Sequence, residues 1–152
     1  MTDEQLFTIA NAAVLPAWAL LAFAPRWTWT QRLVHSALYP LVLGLVYTVG
    51  ILTSGPGAEG SAEGAGLGSL AGIYAAFGNP RTLLVAWVHY LVFDLFVGAW
   101  EARDAQRTGV PHWALVPCLF LTLMAGPMGL LAYLAIRWVR TRDTSLGEEA
   151  RA

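Results

Sequence analysis

Asp94 lies in the middle of WVHYLVFDLFVGAW, residues 87–100, where His89 is the other ionisable residue apart from Tyr90. A carboxyl in such surroundings is costly unless it is neutral, paired or facing a wet cavity. Desolvation favours the protonated form, so Asp94 is a candidate general acid, able to give a proton to a substrate oxygen. The competing reading is a structural tie to a Tyr, His or Arg on another helix. On a helix, Trp87, Tyr90, Asp94 and Glu101 form one stripe, whereas His89 points well away from Asp94. Each of the two therefore needs a partner from elsewhere, and His35, Tyr39, Tyr47 and Asn11 are the candidates. Tyr90, four residues before Asp94, could also offer its hydroxyl. The residues singled out are thus Asp94, His89 and His35 for proton transfer, and Tyr39, Tyr90, Asn11 and Trp87 for substrate contact. His89 also reads as an ordinary interior histidine, and Asn11 as interhelical glue.

These residues need a membrane to make sense. Of 152 residues, 57% are hydrophobic and 12% charged, with a mean hydropathy of +0.54. A soluble domain has about 25% charged residues, so the composition is that of an integral membrane protein. The net charge of −1 gives no nucleic-acid signal, and every basic residue is Arg. The single cysteine, Cys118, excludes an intramolecular disulfide. Histidines and cysteine are scattered without metal-ligand spacing, and no nucleotide-binding or nucleophile-elbow motif occurs. Neither metal nor cofactor is expected, and acid and base chemistry is the simplest option.

Hydrophobic runs predict four spans, at about 6–24, 33–52, 82–100 and 113–138, as an all-α, four-helix transmembrane bundle occupying 1–142. A polar turn at 25–32 carries Trp27 and Trp29, suited to the headgroup zone. Pro40 predicts a kink in the second span. TSGPGAEGSAEGAG at 53–66 reads as a flexible loop, 67–77 as an interfacial or re-entrant helix, and 143–152 as a disordered tail. Gly126-Pro127 predicts a bend in the fourth span. Glu101, Arg103 and Asp104 read as a solvated charge cluster where the third span meets water. Four spans put both termini on one side, and arginines then fall on both sides, so the positive-inside count chooses no orientation. The bilayer is the expected partner, and a bundle this small is suited to homodimerisation.

Three stretches together resemble a known family: FTIANAAVLPAWALLAFAPRW, WVHYLVFDLFVGAWEARDAQRTGVPH and VPCLFLTLMAGPMGLLAYL. They are similar to the abscisic-acid-deficient-four family of small membrane proteins, with HYLxFDLFxGxW and GPxGLL the most specific parts. The plant members are linked to neoxanthin synthesis from violaxanthin, so the resemblance implies a carotenoid ligand and a neoxanthin-synthase-like isomerisation. The glycine-rich loop and the lack of a plastid transit peptide resemble a bacterial relative, multi-pass in the inner membrane. In the implied reaction an epoxide opens while a neighbouring polyene carbon loses a proton, which calls for an acid and a base. Asp94 suits the acid, His89 or His35 the base, and Tyr90 or Tyr39 an orienting donor. The alternative function is non-catalytic: a carotenoid- or lipid-binding membrane protein, or an accessory subunit of a pigment-modifying enzyme.

Overall fold

The computed structural model describes residues 2–54 and 61–146. All regular structure among them is helical: α1 (Asp3–Phe23), α2 (Thr28–Leu33), α3 (Leu38–Ser54), α4 (Leu70–Phe77), α5 (Pro80–Thr108), α6 (His112–Ala125) and α7 (Pro127–Thr141). The axis of the fold is α5, which packs against α1, α3, α4, α6 and α7. Asn79 caps it by accepting from the Arg81 N–H at 2.9 Å, and Pro80 fills the first turn, where a missing N–H costs nothing. It runs eight residues beyond the expected end at 100 because EARDAQRT contains no breaker, and it stops at Gly109 with φ 72°.

Three segments are long and apolar enough to cross a membrane: α1, the bent α2–α3 segment Thr28–Ser54, and α5. The protein is a multi-pass, all-helical membrane protein. The break in the second segment falls at 34–37, where the Ser36 hydroxyl donates to the Leu33 carbonyl and accepts from the Leu38 N–H. Pro40 follows in the first turn of α3, where proline is tolerated. Of the glycine-rich stretch 53–66, residues 55–60 lie outside the described residues, as do 147–152 of the tail.

The expected fourth span, 113–138, is two helices of 14 and 15 residues rather than one continuous crossing. Each reaches only about 21–23 Å at 1.5 Å per residue, short of a hydrocarbon core about 30 Å thick. The chain reverses at Gly126, φ 32° and ψ −93°, and Pro127 opens the returning helix. Contacts with α5 fix the depth of this hairpin. Its tip touches Tyr90 and Asp94, midway along α5, while Arg137 and Arg140 return to Asp104 and Gly109 at the far end. A Cβ on Gly129 would collide with the backbone nitrogen of Thr122, so α6 and α7 meet at van der Waals distance there. Gly129→Ala is expected to cost about 3 kcal/mol, read as a lower melting midpoint in detergent. An unchanged midpoint would show that the hairpin has room to open.

The hairpin also rearranges the charges. At one end of the bundle Arg81 pairs with Asp3 at 2.6 Å. At the other end stand Arg26, Arg32, Arg103, Arg107, Arg137, Arg140 and Arg142, because α7 comes back to the side from which α6 entered. With three crossings, the start of α1 and the end of α7 lie at opposite ends. The positive-inside rule then predicts that the arginine-rich end stays on the non-translocated side. A green fluorescent protein fused after α7 should fluoresce in a bacterial host and alkaline phosphatase fused there should be inactive. Active phosphatase at that position would reverse the assignment.

Candidate functional site

The stripe Leu83, Trp87, Tyr90, Asp94 on α5 faces α1 and the hairpin tip. Trp87 Nε1 donates to Asn11 Oδ1 at 3.2 Å, and Asn11 Nδ2 donates to the Phe7 carbonyl at 2.7 Å. Asn11 thus ties α1 to α5. The Trp87 ring stacks on Tyr90, centroids 5.2 Å apart, and meets Phe7 at 5.6 Å. The Tyr90 hydroxyl donates to the Leu123 carbonyl at 3.2 Å. That carbonyl would normally accept from the N–H four residues on, but residue 127 is proline. Tyr90 therefore satisfies an acceptor that lipid could not.

Asp94 lies one turn further, directly against Gly126: a Cβ there would stand 2.6 Å from Oδ1. Its Oδ2 is buried and has no hydrogen-bond partner, while the Tyr90 hydroxyl stands close enough to the carboxyl to interact with it. Because the hairpin stops at this depth, the first half of α5 on this face is covered by α1 alone, through Asn11 and Phe7. Leu83 is 50% exposed, Phe7 39% and Trp87 37%, all on surface turned to lipid. The result is a partly exposed aromatic face shared by α1 and α5, with the Asp94 carboxyl one turn beyond Tyr90.

The two histidines lie elsewhere. His89 is exposed, between Tyr47 and Phe93 with centroids 5.3 Å and 4.6 Å away, on the side of α5 toward α3. His35 sits in the α2–α3 break, its Nδ1 3.2 Å from Arg103 Nη1. Arg103 is nine residues beyond Asp94, about half a turn round the helix. His35 and Tyr39 share a cleft of about 290 Å³ on that opposite face. A larger cleft of about 530 Å³, with Arg26, Gln106 and His112 in its wall, lies at the arginine-rich end. The structure thus brings together Asn11, Trp87, Tyr90 and Asp94, and separately His35 and Tyr39, while His89 joins neither group.

Glu101 and Asp104 are 0% and 1% exposed, which overturns their reading as a solvated cluster. Thr122 Oγ1 lies 3.0 Å and 3.1 Å from the two Glu101 oxygens. Asp104 Oδ2 accepts from the Tyr133 hydroxyl at 2.5 Å and Arg137 Nε at 2.7 Å, and Oδ1 from Arg107 Nη2 at 2.9 Å. The physical reason is again the hairpin, which covers the stretch of α5 that a span ending at 100 would leave in water. Glu101 belongs to the Asp94 stripe, visible from spacing alone, but Thr122, Tyr133 and Arg137 become partners only once the chain reverses at Gly126. Among the described residues no group of three or more His, Cys, Asp or Glu is placed to hold a metal ion.

The model of the ABA4-like family, described as ABA DEFICIENT 4-like, matches residues 5–133. Protein ABA DEFICIENT 4, chloroplastic, of Arabidopsis thaliana is 26% identical over 133 residues, which are 86% of this chain and 59% of that protein. The chain thus spans about three-fifths of the length of this curated relative. No solved structure matches it. The matched region runs from the first turn of α1 to the middle of α7 and includes Asn11, Trp87, Tyr90, Asp94 and the Gly126 turn; on that coverage the chain belongs to the ABA4-like family.

Proposed function

We propose that the chain is a membrane-embedded isomerase of a carotenoid or related isoprenoid, with Asp94 as the proton-transferring group. The observation that supports it is the unpartnered Oδ2 of Asp94 one turn beyond the partly exposed aromatic face of Phe7, Trp87 and Tyr90. Family membership and the resemblance described above support a carotenoid-related substrate. The polyene lies along Phe7, Trp87 and Tyr90, and its oxygen-bearing end group reaches Asp94.

The chemistry balances without a cofactor. Asp94 gives its proton to the epoxide oxygen as the C–O bond breaks, leaving an alcohol. The neighbouring polyene carbon loses a proton, and the C–H electron pair becomes the new double bond of an allene. With His89 on another face of α5 and His35 in the α2–α3 break, the Asp94 carboxylate is the group left to take that proton back. One carboxyl is then both acid and base, and it ends the cycle as it began. The compartment proposed is a bacterial inner membrane, checked by fractionation.

The test is pigment chromatography with mass spectrometry on membranes of a carotenoid-producing host, with and without the protein, supplying epoxidised and plain carotenoids. A product of unchanged mass and altered retention is expected from the epoxidised substrate. Copurified pigment with unaltered structure would overturn catalysis in favour of a binding protein.

A further inference from the structure

The cleft on the opposite face of α5 holds the second unexplained chemistry of the molecule. His35, Tyr39 and Arg103 line it together with Val92, Leu95 and Phe96. Arg81 pairs with Asp3, and Arg107 and Arg137 pair with Asp104, but among the described residues no carboxylate lies within ion-pair distance of Arg103. Its contact is His35 Nδ1 at 3.2 Å. A guanidinium only donates, so Nδ1 must be the acceptor and the imidazole proton must sit on Nε2. That Nε2 is buried and has no hydrogen-bond partner. A half-buried cation with no anion and a buried N–H donor with no acceptor thus border one cleft.

Depth and lining identify what fits. Arg103 is nine residues beyond Asp94, or about 14 Å along α5. With Asp94 at the level of the hairpin tip, near the midplane, that distance reaches the edge of a core about 15 Å in half-thickness. Within the cleft, Arg103 and His35 stand toward the arginine-rich end, the end that faces an anionic leaflet if the positive-inside rule holds. Its remaining wall is apolar apart from Ser36, and Phe96 is 53% exposed.

We infer that this cleft binds an anionic phospholipid, with Arg103 and His35 Nε2 on its phosphate and an acyl chain along Val92 and Phe96. The site is on the face of α5 away from Asp94 and is independent of the isomerase reading. A zwitterionic lipid lacks the net charge that compensates Arg103, and free phosphate leaves the apolar wall unused.

The test is thermal unfolding of delipidated full-length protein in neutral detergent, with phosphatidylglycerol, phosphatidylcholine or inorganic phosphate added. Phosphatidylglycerol at 100 times its half-saturating concentration should raise the midpoint by about 5–10 °C. Phosphatidylcholine and inorganic phosphate should each raise it by less than about 1 °C. Arg103→Gln should remove the rise, Arg103→Lys should keep part of it, and Arg142→Gln at the same end should leave it whole. Should Arg103→Gln not fold, His35→Phe keeps the ring volume and removes the Nε2 donor, and it should at least halve the rise. An equal rise with phosphatidylcholine would overturn headgroup recognition, and one with inorganic phosphate would make this a free-anion site. No rise with any of the three, or a full rise in every Arg103 and His35 variant, would overturn the site itself.

Discussion

Asp94→Asn should lower turnover of the epoxidised carotenoid by at least about 100-fold, the usual contribution of a positioned acid or base. The change keeps shape and polarity. An amide fits wherever the carboxyl does, including against Gly126, so the hairpin tip should stay seated and the melting midpoint should move little. What disappears is the one group at the end of the aromatic face that can give a proton to an oxygen and take one from carbon. Asp94→Glu should recover part of the activity at most, because the longer side chain meets the Gly126 backbone that already stands against Oδ1. His89→Ala and His35→Ala should stay within a few-fold of the parent, since the first ring packs between Tyr47 and Phe93 and the second beside Arg103. Product formation is read by chromatography, and folding by gel filtration and thermal melting of the same preparations. Normal turnover in Asp94→Asn would remove Asp94 from the chemistry. A loss in His89→Ala as large as that in Asp94→Asn would move the base to the other face of α5.

The stripe that forms the α5 side of the aromatic face was legible because helical periodicity is local. Trp87, Tyr90 and Asp94 recur at spacings of three and four, and no tertiary information is needed to put them on one face. The same arithmetic turned His89 away from Asp94. All-helical class and membrane character followed from apolar runs that only a bilayer accommodates as continuous helix. The hairpin was not legible as such. Gly126-Pro127 marks a break, but a bend within one span and a full reversal share that signature. What separates them is Gly129, whose missing side chain lets α7 lie against Thr122, and the pairing of Arg137 with Asp104. Both are long-range facts. Three misreadings follow from that one reversal: the fourth span, the solvated Glu101 and Asp104, and an arginine count that favoured neither side.

Arg137→Met should cost about 3–5 kcal/mol, the usual penalty for stranding one member of a buried ion pair. Asp104 and Arg137 are 1% and 5% exposed. Arg137 also donates through Nη1 to the Asp143 carbonyl at 3.0 Å and through Nη2 to the Ser145 carbonyl at 2.7 Å, so a single side chain binds α5, α7 and the segment after α7. Removing it leaves the Asp104 carboxylate with Tyr133 and the more exposed Arg107, whose side chain is 35% accessible and correspondingly screened. Tyr133→Phe removes one neutral donor and should cost less, about 1–2 kcal/mol. The double variant Asp104→Leu/Arg137→Met should recover much of the loss, because no buried charge is then left alone. A double-mutant cycle on melting midpoints in detergent measures the coupling. If the double variant loses the sum of the two single losses, Asp104 and Arg137 act independently and the hairpin is held by packing alone. The latch lies ten residues, about 15 Å, from Asp94 along α5, so Arg137→Met should lose turnover only as its folded fraction falls, whereas Asp94→Asn loses turnover while fully folded. The two variants thereby separate what holds the hairpin from what its tip is there to shape.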